Sequence, residues 1–254
     1  MSCQHYDDPV AAYERLAPAY ATCARARQQY LHGVEREIAA RTRDARSLLD
    51  LGAGDGTRAK RIAAAAGIGT VVLLEPSAAM AGASRNSAEL WRMRVEDLCP
   101  DRVSPRFDVI TCLWNVLGHI PASDRQRVLK LSAQLLSPGG RIFLDVNHRY
   151  NARSYGWITT SARWLWDVLT HDVHGGDVTA VWDIGEGQSI STYGHVFTHR
   201  EVSALAEAAD LRIEERIVVD YKNGSLHDLP WLGNLLYVFR RSSRRDSSSA
   251  AATS

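Results

Sequence analysis

The stretch Leu48-Leu49-Asp50-Leu51-Gly52-Ala53-Gly54-Asp55-Gly56-Thr57 decides the fold of this chain. An apolar run, a glycine-rich turn and an alanine-rich segment from Arg58 to Ala66 predict a strand, a tight loop and a helix. This is the opening unit of a doubly wound α/β sheet, whose loop N–H groups can approach a ligand closely. The spacing G-x-G-x-G is one residue shorter than the G-x-G-x-x-G that opens a dinucleotide site, so the stretch predicts a different nucleotide-like ligand.

The next apolar run supplies a carboxylate for that ligand. Val71-Val72-Leu73-Leu74 predicts a neighbouring strand, and Glu75-Pro76 follows at its carboxyl end. A ribose offers two hydroxyl donors at this edge of such a sheet. We therefore expect Glu75 to bind a ribose.

With these residues in place, Asp50-Leu-Gly-Ala-Gly-Asp-Gly56 resembles motif I of the class I methyltransferases, which use S-adenosylmethionine (AdoMet) and release S-adenosyl-L-homocysteine. The likeness is loosely to the glycine N-methyltransferase-type branch that acts on small molecules. It implies an acidic residue beside the adenine, for which Glu96 or Asp97 could serve, with Asp97 favoured. The implied cofactor-binding residues are Asp50, Gly52, Gly54, Gly56, Glu75, Pro76, Glu96, Asp97, Leu113 and Trp114.

Two later strand exits are expected to face the methyl acceptor. The run Phe107 to Leu113 predicts a central buried strand, and the segment after it resembles its counterpart in glycine N-methyltransferase-like enzymes, including Asn115 and His119. Expected at these exits to bind substrate are Asn115, Asn147, Arg149 and Tyr150. Arg149 or Arg153 could clamp an anionic group of the acceptor. Polar residues at this edge of the sheet are typical of a ligand site.

Three residues are candidates for a catalytic role. His119 and His148 have the reference pKa needed to accept a proton near neutrality, although His119 could equally be a histidine that bonds the backbone. Tyr20 resembles the aromatic residue that closes over the methyl-donor end of the cofactor, where a ring face suits a sulfonium cation.

The predicted fold is a seven-stranded Rossmann-like sheet with an antiparallel last strand, because the loop before residues 234–240 is too short for a crossover helix. Residues 1–43 are expected to form an N-terminal helical cap on a methyltransferase domain at 44–240. Within it, residues 152–197 carry four tryptophans and a predicted β-hairpin, and are expected to form a lid. The tail, 241–254, is expected to be disordered.

Composition narrows the class of partner. The chain has 254 residues, a net charge of +1 and four cysteines without C-x-x-C spacing. We therefore expect a cytoplasmic enzyme without a metal site or membrane partner, for which nucleic acid is an unfavoured partner and a homo-oligomer is possible.

The resemblance implies an AdoMet-dependent methyltransferase that acts on a small polar molecule, with an amine acceptor slightly favoured. The alternatives are an O-methyltransferase of natural products, a wobble-uridine tRNA methyltransferase, whose ending is similar around Tyr193-Gly-His195-Val-Phe197, and a non-catalytic AdoMet-binding protein.

Overall fold

The computed structural model describes residues 8–82, 88–99, 106–170, 175–185 and 187–242. Its strands are β1 (Ser47–Leu51), β2 (Thr70–Leu74), β3 (Glu89–Trp91), β4 (Phe107–Cys112), β5 (Leu136–Val146), β6 (Asp177–Gly185), β7 (Gln188–His195), β8 (Leu211–Val219), β9 (Leu226–His227) and β10 (Asn234–Arg241). Its α-helices are α1 (Pro9–Arg25), α2 (Gln28–Ala40), α3 (Thr57–Ala66), α4 (Ala78–Ala81), α5 (Val116–His119), α6 (Ala122–Leu135), α7 (Ala152–Tyr155), α8 (Trp157–Thr170) and α9 (His199–Ala208).

A mostly parallel sheet forms the centre of the molecule. Its strand order is β3-β2-β1-β4-β5-β10-β8-β9, and β1 pairs in parallel with both β2 and β4. The last long strand, β10, runs antiparallel between β5 and β8. The predicted doubly wound sheet with an antiparallel last strand is thus confirmed, with a two-residue edge strand, β9, in addition to the seven expected.

Apolar side chains fill both faces of this sheet. Successive residues of a strand point to opposite faces, and Leu48 and Leu49 accordingly belong to two different buried clusters. Helix α6 packs in the cluster of Leu49 through Val128 and Leu129, whereas α2 and α3 pack in that of Leu48. Because both faces are covered, the edge at the carboxyl ends of the parallel strands is the place where a ligand can enter.

The chain after β2 forms two separate short elements, a helix at Ala78–Ala81 and a strand at Glu89–Trp91. Helix α4 ends after four residues, and Glu89–Trp91 pairs in parallel with β2 as the edge strand β3. This pairing satisfies backbone N–H and C=O groups of β2 that an open sheet edge would leave to solvent. Strand β5 begins at Leu136, directly after the last residue of α6. Residues 243–254 of the predicted disordered tail lie outside the described residues.

The predicted hairpin is present and rests on the N-terminal helix. Strands β6 and β7 pair antiparallel, and Ile190 of β7 packs with Ala12 and Leu16 of α1. Tyr13, Tyr20 and Trp182 pack around this small cluster. The N-terminal cap and the inserted hairpin therefore share one apolar core, which covers the ligand edge of the sheet.

A contact between two glycines joins helix α2 of the N-terminal cap to the loop between β8 and β9. A Cβ at Gly33 of α2 would lie 2.6 Å from the carbonyl oxygen of Gly224, so nothing larger than glycine fits there. Gly33→Ala should therefore lower the free energy of unfolding by about 1–3 kcal/mol, although alanine is the better helix former. Denaturant unfolding measures this change.

The matched control is Gly82→Ala, where a Cβ meets nothing within 4 Å. It should leave the free energy of unfolding unchanged or slightly increased. Equal stability of the Gly33 variant and the parent would show that this contact is not tight.

Candidate functional site

A cavity lies at the carboxyl ends of β1, β2 and β4, against the glycine-rich loop. Gly52 and Gly54 adopt positive φ angles of 66° and 58°, which an L side chain rarely adopts. The Gly54 N–H donates to the Glu75 carboxylate at 2.8 Å, which fixes the loop to the end of β2. A Cβ at Gly54 would lie 3.1 Å from the Met80 Cε and 3.5 Å from the Tyr20 hydroxyl, so the loop backbone forms the cavity floor.

Two buried carboxylates line this cavity. Asp50 accepts a hydrogen bond from the Thr111 hydroxyl at 2.7 Å, and burial raises its pKa to about 6. Glu75 accepts hydrogen bonds from the N–H groups of Gly54 and Ser77, yet burial still raises its pKa above the usual value. Both acids are therefore short of positive or hydrogen-bonding partners, and a ligand with hydroxyl or ammonium donors would supply them.

The cavity floor also carries a positive charge, Arg58, that the sequence had not indicated. Arg58, in the first turn of α3, lines the cavity, and its Nε and Nη2 atoms are buried without a hydrogen-bond partner. The Glu35 carboxylate lies 3.8 Å from Nε, but Arg61 already binds it through two nitrogens. Unsatisfied buried donors are costly, which indicates that the site is built for an anionic group. The only sequence signal was a basic residue directly after the glycine loop.

The acidic residue nearest the cavity after β3 is Glu96 and not Asp97. Glu96 is half-buried and lines the cavity, whereas the exposed Asp97 does not. The turn Val95–Asp97 is a 3-10 helix that buries Val95. This turn directs Glu96 to the cavity, so the favoured choice of Asp97 is corrected to Glu96.

The exit of β4 is held in an unusual backbone conformation. Trp114 and Asn115 have φ angles of 56° and 63°, and Asp145 of β5 holds them by two hydrogen bonds. Its carboxylate accepts from the Trp114 N–H at 2.9 Å, and its carbonyl accepts from the Asn115 N–H at 3.0 Å. Such strain persists only where several contacts fix it. It places Leu113 and Trp114 in the cavity wall.

His119 lies at the far end of the cavity with a defined tautomer. Its Nδ1 is 2.7 Å from the Tyr193 carbonyl oxygen, which can only accept, so Nδ1 carries the hydrogen. The Nε2 atom therefore holds a lone pair and accepts from the Tyr13 hydroxyl at 3.1 Å. Burial lowers the pKa of His119, which keeps the ring neutral near pH 7. His119 can thus accept a proton from a ligand that displaces the Tyr13 hydroxyl.

Of the other predicted residues, several line this cavity and several do not. Tyr20 contacts Trp114, with ring centroids 5.7 Å apart, and lines the cavity together with Pro76. Gly56 is the left-handed residue before α3 and is not part of the lining. Asn115 and Asn147 are structural, because the Asn115 amide bonds the Asn147 N–H and the His195 carbonyl. The Asn147 side chain accepts a hydrogen bond from Asn234.

His148, Arg149 and Tyr150 line a second cavity of about 820 Å³ between β5, α8 and α9. The Nδ1 of His148 bonds the Pro230 carbonyl at 2.8 Å, and burial lowers its pKa to about 4. Arg149 and Tyr150 both donate to the Asp167 carboxylate. The expectation that these three residues face the acceptor beside His119 is therefore corrected, since β5 turns them away from the first cavity.

The predicted arginine clamp is also corrected. Two nitrogens of Arg149 bind Asp167 at 2.5 Å each, and Arg153 binds the buried Asp220 at 2.7 Å. Neither guanidinium lines the first cavity. Both partners lie more than fifteen residues away in sequence, so the pattern of residues could not indicate them.

Comparison with known proteins gives the family. A family model described as "Methyltransferase domain" matches residues 23–216. The chain belongs to this family. The class I methyltransferase resemblance of the glycine loop is thereby confirmed.

Individual curated relatives share about 30% of the aligned residues with this chain. A ubiquinone biosynthesis O-methyltransferase of Coxiella burnetii (strain Dugway 5J108-111) is 30% identical over 158 residues, which are 58% of this chain and 64% of that relative. The match thus spans less than two thirds of the relative's length.

Solved structures share the fold. An S-adenosylmethionine-dependent methyltransferase from Clostridium acetobutylicum superimposes with a TM-score of 0.63 at 15% identity, over 91% of this chain and 99% of the other. SAM-bound CalS10, an amino pentose methyltransferase from Micromonospora echinaspora, gives 0.59 at 18% identity, over 88% and 96%. At such identities the likeness shows the fold alone.

Proposed function

We propose that this methyltransferase moves the methyl group of AdoMet to a hydroxyl oxygen of a small molecule with an apolar or aromatic body. The observation that carries the proposal is the neutral, buried His119, whose Nε2 lone pair points to the Tyr13 hydroxyl inside the cavity. A hydroxyl acceptor loses a proton as it is methylated, and this lone pair can receive it. The name of the curated O-methyltransferase relative supports the same reaction.

The residues of the cavity fit AdoMet as cofactor. Glu75 would accept from the ribose hydroxyls, Glu96 from the adenine amine, and Asp50 from the ammonium of the methionine tail. Arg58 would bind the tail carboxylate through the nitrogens that lack a hydrogen-bond partner. Each buried charge or donor left unsatisfied by the protein thereby meets a group of complementary sign. The dinucleotide alternative does not fit, because a pyrophosphate would meet two buried carboxylates here.

The chemistry required of the protein is mainly positioning. AdoMet, when bound, supplies a methyl carbon already activated by a positive sulfur. Tyr20 and Trp114 would enclose that cationic end with aromatic rings. His119 would take the acceptor proton at Nε2 while its Nδ1–H stays bonded to Tyr193. The shared core of α1 and the hairpin would exclude water from the reaction.

The acceptor differs from the amine with an anionic group that the sequence favoured. Its clamp is absent, because Arg149 and Arg153 are paired with Asp167 and Asp220. The cavity near His119 is instead lined by Tyr13, Trp114, Val116 and Ile120. Such a wall suits a flat apolar or phenolic body, and its one proton acceptor suits a single hydroxyl. Assay of phenols, alcohols and amines in parallel with labelled AdoMet tests this choice, and transfer to amines alone would contradict it.

The glycine loop generates a binding prediction. Gly54→Ala should weaken AdoMet binding at least tenfold, because the added methyl would project toward Met80 and Tyr20 where the cofactor must enter. Gly67→Ala is the matched control, since Gly67 also has a positive φ but meets nothing within 4 Å. Titration calorimetry on both folded variants measures the affinities. Equal loss in both variants would mean that backbone strain, and not cofactor contact, is responsible.

Arg58 can be tested by comparing two ligands. Arg58→Gln should weaken S-adenosylhomocysteine binding by about 1.5–3 kcal/mol, the usual contribution of a hydrogen bond to a charged group. Binding of methylthioadenosine, which lacks the amino acid tail, should change much less. If both ligands lose affinity equally, Arg58 supports the fold of the site and does not bind the carboxylate.

His119 gives a kinetic prediction. His119→Asn should lower kcat by about a hundredfold or more while AdoMet affinity is retained, because only proton transfer is lost. Since burial depresses the pKa of His119, the base is unprotonated at pH 7, and kcat should fall only as the pH drops below about 6.5. His227→Asn, outside the cavity lining, is the control. An unchanged kcat in the His119 variant would exclude it as the base.

A further inference from the structure

Helix α8 (Trp157–Thr170) exposes its large apolar side chains, whereas an ordinary surface helix packs them against the protein. Three of its polar residues face the protein: Thr160 is buried, Asp167 binds Arg149, and Arg163 lies 4.5 Å over the Tyr155 ring. Its large apolar side chains face outward. Their exposed fractions are Trp157 59%, Ile158 89%, Trp164 45%, Leu165 53%, Trp166 60%, Val168 50% and Leu169 70%.

This surface, formed by the seven apolar residues of α8, is too large to be incidental. Monomeric proteins rarely expose contiguous apolar patches of more than a few hundred Å². At 100° per residue, the arc from Trp164 round to Trp166 covers roughly 200° of the helix circumference. A helix that packs on one partner helix needs a much narrower stripe. The arc therefore fits a medium that surrounds the exposed half of the helix.

Charge lies beside the apolar surface. The second cavity opens between Trp164 and Val168 of α8 on one side and Trp231 on the other, and Arg200 and Arg216 line it. Both arginines are exposed, and neither forms a hydrogen bond or ion pair with a described residue. Two cations next to a band of tryptophans match an anionic headgroup layer above acyl chains. In a two-fold symmetric dimer through this same patch, the two arginines of one copy would face the same two arginines of the other copy, so that like charges would meet.

We propose that α8 binds in the plane of an anionic lipid bilayer surface, with its outer face among the upper acyl chains and Arg200 and Arg216 at the headgroups. Of the helices in the described ranges, none has the length and apolarity needed to cross a membrane. A helix of 14 residues is about 21 Å long, which suits an interfacial position. The proposal departs from the sequence expectation of no membrane partner, which rested on the absence of a spanning segment.

Vesicle co-sedimentation of the full chain tests the apolar contact. The chain should bind vesicles of phosphatidylcholine with phosphatidylglycerol, and Ile158→Asp with Leu169→Asp should lower the partition coefficient about tenfold or more. Val181→Asp is the matched control, because Val181 is 62% exposed but lies on β6, outside α8. It should bind within about twofold of the parent. Melting temperatures of all variants should stay close to the parent, since the changed side chains face outward.

The charge contribution is tested separately. Arg200→Gln with Arg216→Gln should weaken binding to the anionic vesicles roughly tenfold and leave the weaker binding to pure phosphatidylcholine unchanged. Light scattering tests the alternative that a second copy of the chain covers the α8 surface. The proposal is overturned if the parent does not bind anionic vesicles, or if the α8 and Val181 variants bind alike. It is also overturned if Ile158→Asp dissociates a dimer that itself binds no lipid.

Discussion

The carboxylate of Asp145 is the point on which the ligand edge of the sheet depends. It is fully buried and accepts hydrogen bonds from the Tyr30 hydroxyl of α2 and the Trp114 N–H at the exit of β4. Burial raises its pKa, and these donors offset part of the cost of holding charge there. One side chain thus connects the N-terminal cap, the central sheet and the strained turn. Without it, the Trp114 N–H in this turn would lose its hydrogen-bond acceptor.

From that turn the geometry of the cavity follows. Asn115 extends the constraint outward, since its amide bonds the Asn147 N–H after β5 and the His195 carbonyl at the end of β7. The lid hairpin is therefore tied to the strand exits by backbone and amide hydrogen bonds as well as by its apolar contact with α1. Because β7 is fixed in this way, the Tyr193 carbonyl is held where it sets the tautomer of His119. Residues that touch no ligand thus determine the chemistry available inside the cavity.

The segment after β5 has a polar inner surface, which contacts the protein, and an apolar outer surface, which is exposed. Its polar residues Arg149, Tyr150 and Asp167 form a buried network that anchors α8, and this network leaves the apolar side of the helix outside. The usual preference for apolar burial is reversed because a bidentate ion pair occupies the inner face.

Sequence by itself determined the fold and the position of the cavity. The strand, glycine loop and helix at residues 48–66 depend on local periodicity and on backbone conformations that only glycine adopts readily, and both can be read from neighbouring residues. The antiparallel last strand followed from a short connection. The family and the doubly wound sheet with an antiparallel last strand were therefore predictable. Asp50, Gly52, Gly54, Glu75 and Trp114 all line the cavity.

The tertiary structure alone decided which polar groups are free to act. Arg149 and Arg153 have the chemistry of a ligand clamp, but distant carboxylates bind them. Arg58, in contrast, keeps two buried nitrogens, Nε and Nη2, without a hydrogen-bond partner. A turn of 3-10 helix selected Glu96 over Asp97, and the path of β5 separated His148 from His119. The exposure of the apolar residues of α8 was not predictable either, because an apolar stripe on a helix normally packs against the protein. The ion pairs of Arg149 and Arg153 join residues far apart in sequence, and local pattern carries no information about them.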